Sequence, residues 1–73
     1  DRPGVIGTIS GILGNKQISI ASVRQNESRK EPVEVIFLTH KAKEGFLRSA
    51  LEEINGLDII KEPAVMVRLE ELP

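Results

Sequence analysis

The chain has 73 residues, a formal net charge of −1, 40% hydrophobic residues, no cysteine and one histidine. That length allows one domain, residues 1–73, near the lower limit for folding alone, since so short a chain buries only about 60% of its unfolded surface. The composition argues against disulfides, thiolate or multi-histidine metal sites and, with both charge signs interleaved, against nucleic acid or anionic membrane as the main partner; with no apolar run near the ~20 residues of a span and no signal peptide, a cytoplasmic domain is expected.

In chain order, a first helix is predicted from Pro3 to Leu13. Pro3 suits the first turn, where its missing N–H would have no partner. Asp1 is placed to accept hydrogen bonds from the free N–H groups of that turn and to oppose the positive end of its dipole. Gly4 lets another group approach the backbone closely. The start therefore reads either as an ordinary capped helix or as a site for a small zwitterion or anion. Val5, Ile6, Ile9, Ile12 and Leu13 share one face at helical spacing and are expected to lie on a sheet. Gly4, Gly7, Gly11 and Gly14 fall on the opposite face. Gly14 reads as the C-terminal cap. Gly7 and Gly11 each cost roughly 0.8–1 kcal/mol relative to Ala, and mark either a solvated face or one lying against another chain or domain. The pairs Gly4–Gly7 and Gly11–Gly14 have the spacing of an RNA-clamping loop, but their inner residues are apolar and neither sits between basic helices.

Asn15-Lys16-Gln17 is a turn. From Ile18 the period changes to two, which puts Ile18 and Ile20 on one face and Ser19, Ala21 and Val23 on the other. Asn26 to Pro32 is a charged hairpin loop, and Val33 to Thr39 a well-buried strand. A second helix is expected after Thr39 or His40 at the N-cap, with Ala42, Phe46, Leu47, Ala50, Leu51 and Ile54 as its core face and Asn55-Gly56 as its end. Leu57 to Ile60 reads as a short extended piece, and Ala64 to Glu70 as the last strand. His40 fits a capping or loop role better than a catalytic one, and Arg68 an exposed strand position. The order α-β-β-α-β suits two helices on one face of an antiparallel sheet, an α+β sandwich.

Five stretches carry a family likeness. Asp1-Arg2-Pro3-Gly4-Val5, Gly11-Ile12-Leu13-Gly14 and Ile18-Ser19-Ile20-Ala21-Ser22-Val23 together resemble the first half of an ACT domain, the amino-acid-sensing module of regulated metabolic enzymes. Thr39-His40-Lys41-Ala42-Lys43-Glu44 and Val65-Met66-Val67-Arg68-Leu69-Glu70 are similar to the C-terminal regulatory domain of homoserine dehydrogenases. The resemblance implies a ferredoxin-like two-layer sandwich, β-α-β-β-α-β, with its first strand missing from this chain. On that reading the chain is a piece of a longer enzyme. Strands flanking the gap would expose unpaired backbone groups, so a homodimer or larger assembly is expected. The expected ligand site comprises Asp1, Gly4, Val5 and Ile6 with Ser19, Ile20 and Ala21, across a subunit contact. An amino acid, by resemblance threonine, is its implied ligand.

No catalytic residue is assigned, because the chain has no dinucleotide fingerprint, no phosphate loop and no Ser-x-x-Lys, and no metal site, because it has one histidine and no cysteine. The NAD(P) of a parent homoserine dehydrogenase would belong to other domains, and no cofactor is expected on this chain. Two other readings remain: an oligomerisation module without ligand (or the ACT domain of a different enzyme of amino-acid metabolism), and an RNA-binding sandwich. The last lacks stacking aromatics, since only Phe37 and Phe46 are present and Phe46 is assigned to the core.

Overall fold

A computed structural model describes residues 2–26, 33–58 and 65–73, with the side chains of Arg2 and Pro3 left aside. Helix α1 spans Arg2–Asn15, strand β1 Ile20–Asn26, strand β2 Val33–Thr39, helix α2 Glu44–Asn55 and strand β3 Val65–Glu71. The expected hairpin loop beyond Asn26, the stretch 59–64 and Asp1 lie outside the described residues. Both helices pack on one face of the sheet. Val5, Ile9, Ile12 and Leu13 of α1 meet Ala50 and Ile54 of α2 over Val35 and Phe37, with Ile18 closing one end. This is the α+β ferredoxin-like sandwich expected, and among the described residues its first strand is missing.

The strand order is β1-β2-β3. β1 runs antiparallel to β2, whereas β2 and β3 pair in parallel from Val33↔Val65 to Thr39↔Glu71. The sheet is therefore mixed, which corrects the antiparallel expectation. The parallel pair is possible because α2 supplies the long crossover such strands require. It also corrects the expected gap, for β2 and β3 satisfy each other's backbone groups directly.

β2 alternates strictly. Val33, Val35, Phe37 and Thr39 are buried beneath the helices, and Glu34, Ile36 and Leu38 are half-buried on the other face. β1 does not alternate as read from the sequence. Ile20 pairs with Thr39 and Ser22 with Leu38, so Ala21 is an extra residue in a bulge. Beyond it Val23 stands opposite Phe37, on the same face as Ile20 rather than on the opposite one. A bulge of one residue is what reconciles apolar positions three apart with a period of two.

The end of α1 differs from expectation too. Gly14 lies within the helix, and the left-handed residue is Gln17, with φ 61°. The Ile18 N–H donates to the Leu13 carbonyl at 2.9 Å and the Gln17 N–H to that of Gly14 at 3.0 Å. These are the two bonds of a Schellman cap, and Leu13 and Ile18, both buried, make its apolar contact. Gln17→Gly is therefore expected to stabilise the domain by roughly 0.5–1 kcal/mol, by relieving a left-handed conformation unfavourable to residues with a Cβ. An unchanged or lower urea midpoint would contradict this assignment of the cap.

The N-cap of α2 is Lys43, not Thr39 or His40, and no side chain caps it. Thr39 is buried at the end of β2, where its carbonyl accepts the Leu72 N–H at 2.8 Å. The loop is held instead by the Glu71 carboxylate, which accepts the Ala42 N–H at 2.9 Å. Asn55 ends α2 as expected, but its cap Gly56 is right-handed, with φ −83°. Phe46 and Leu51, assigned to the core from sequence, are 36% and 38% exposed. Three strands span only about 10 Å between the outer strand axes, and two packed helices sit about 8–10 Å apart, so the flanks of α2 overhang the sheet.

The glycine face of α1 is open. Among the described residues, a Cβ built at Gly4, Gly7, Gly11 or Gly14 meets no atom within 4 Å beyond its chain neighbours and the helix's own backbone. In the chain alone Gly11→Ala is expected to raise stability by roughly 0.5–1 kcal/mol through helix propensity. A loss of stability, measured by urea unfolding, would mean that another surface covers this face.

Candidate functional site

The helix-start half of the expected site is built by α1. The first N–H groups of a helix have no partner within it and carry the positive end of its dipole. Gly4 is exposed there, with open space where a side chain would stand. Val5 is 3% exposed and belongs to the core, so it can offer a ligand only backbone. Ile6 is half-buried and packs against the same core.

The strand half lies elsewhere. The bond from the Ile18 N–H to the Leu13 carbonyl ties this segment to the last turn of α1. The Ser19 carbonyl accepts the His40 N–H at 2.9 Å, which fixes the entry to β1. Ile20 is half-buried, whereas Ser19 and Ala21 are exposed. Leu13 follows Gly4 by nine residues, which is ~14 Å along a helix axis. A free amino acid, one residue long, spans at most ~3.6 Å of backbone. The two halves therefore face opposite ends of α1, and one chain does not bring them together around one small ligand.

Sequence reasoning missed the bulge. Its only signal is the spacing of three between Ile20 and Val23, and its effect is to present Ala21 and Ser22 in succession as exposed residues. It also missed the charge pattern on the helix-free face of the sheet, where Arg24, Ile36 and Arg68 stand in one cross-strand row. Arg68 is exposed, as expected, and it bonds Glu34 at 3.3 Å and Glu70 at 2.8 Å. Exposed pairs of this kind contribute about 0–1 kcal/mol each. Among the described residues no three His, Cys, Asp or Glu gather as metal ligands, and no helix is long and apolar enough to cross a membrane.

Residues 1–58 match the family model described as the ACT domain. A homoserine dehydrogenase of Neisseria gonorrhoeae is 33% identical over 73 residues, covering 99% of this chain and 17% of that protein. The homoserine dehydrogenase of Synechocystis is 38% identical over 69 residues, covering 94% of this chain and 16% of its own length. That of Methylobacillus glycogenes is 35% identical, with 99% and 18% covered. The chain thus spans about one sixth of the length of these curated relatives. No solved structure matches it significantly.

Proposed function

This chain belongs to the ACT domain family of small-molecule-binding regulatory domains, and we propose that it senses an amino acid for a cytoplasmic homoserine dehydrogenase of which it is one domain. The ligand we assign is threonine, as the resemblance to the regulatory domain of homoserine dehydrogenases implies. The parent reaction, the NAD(P)-dependent interconversion of homoserine and aspartate semialdehyde, is carried by other domains, and this chain contributes regulation rather than catalysis. What supports the parent is the run of homoserine dehydrogenases similar over nearly the whole chain.

The site we assign is Asp1, Gly4, Val5 and Ile6 of one chain with Ser19, Ile20 and Ala21 of a second. The observation that carries this is the separation of the two halves along α1. Two chains related by a two-fold axis can set the helix start of each beside the strand start of the other, giving two equal sites. The ligand carboxylate would meet the free N–H groups near Gly4, and its ammonium the exposed strand backbone beside Ala21. The dimer therefore rests on the site's geometry, and no longer on a gap in the sheet.

Threonine at 100 times its dissociation constant is expected to stabilise the chain by ~2.7 kcal/mol, read as a rise in melting temperature. Sedimentation equilibrium at micromolar concentration is expected to give a dimer. A dimer whose melting temperature no amino acid changes would favour the ligand-free oligomerisation module instead, and a monomer would overturn the two-chain site.

A further inference from the structure

We draw no further inference here: the strongest candidate, the open depression on the helix-free face of the sheet lined by Arg24, Asn26, Glu34, Ile36 and Arg68, carries nothing, because Arg68 is already paired with Glu34 and Glu70 and nothing in the structure shows what covers that face.

Discussion

Phe37→Ala is expected to remove a large share of the domain's stability. Phe37 is fully buried at the middle of β2, with Val23 opposite it on β1 and Leu69 on β3. Truncating a buried phenylalanine costs about 3–5 kcal/mol, the lost transfer energy plus the cavity left behind. A domain of this length has roughly 4–11 kcal/mol in all, at 0.05–0.15 kcal/mol per residue. The variant should therefore melt far below the parent chain or fail to fold, as followed by circular dichroism. Leu51→Ala provides the contrast. Leu51 belongs to the same apolar pattern in the sequence but is 38% exposed, so its truncation should cost under about 1 kcal/mol. Similar losses in the two variants would mean that the core is not the one described.

Gly4→Val is expected to weaken amino-acid binding at least tenfold while leaving the fold intact. Among the described residues, a Cβ at Gly4 meets no atom within 4 Å beyond its chain neighbours and its own helix's backbone, so there is room for the larger residue. The same space is where a ligand carboxylate would approach the N–H groups of the first turn. Calorimetry should show at least a tenfold weaker affinity, or about 1.4 kcal/mol, with an unchanged circular dichroism spectrum. Unaltered binding in a folded variant would mean that the ligand does not use the start of α1.

The parts of the fold legible in the sequence are those that a periodic pattern determines by itself. β2 was read to the residue, Val33–Thr39, because an apolar, β-branched run makes a central buried strand. The core face of α1 was legible for the same reason, as Val5, Ile9, Ile12 and Leu13 recur at helical spacing. What was not legible depends on neighbours. Nothing in Val65–Glu71 says whether it pairs with β2 or with another strand, since pairing is tertiary. The period of β1 could not place Val23, because a bulge shifts the face of every residue after it. Gly14 drew the cap assignment through its residue type, whereas the bonds from Gln17 and Ile18 place the turn three residues later. Likewise, Phe46 and Leu51 fit the helical stripe of α2, but the sheet beneath is too narrow to cover its flanks. Of the candidate site, the helix start was legible from Pro3 and Gly4 as local chemistry. That its strand half lies at the far end of α1 was not, because the spacing of two segments in sequence does not give their separation in space.

The central claim is that one amino acid is held jointly by the start of α1 and the start of β1, from two chains. The most direct measurement is a threonine titration of the isotope-labelled chain, followed by its backbone amide resonances. The amides of Gly4, Val5 and Ile6 are expected to shift together with those of Ser19, Ile20 and Ala21, along one binding curve that saturates at one threonine per chain. Shifts confined to one end of α1, or none at saturating threonine, would contradict it.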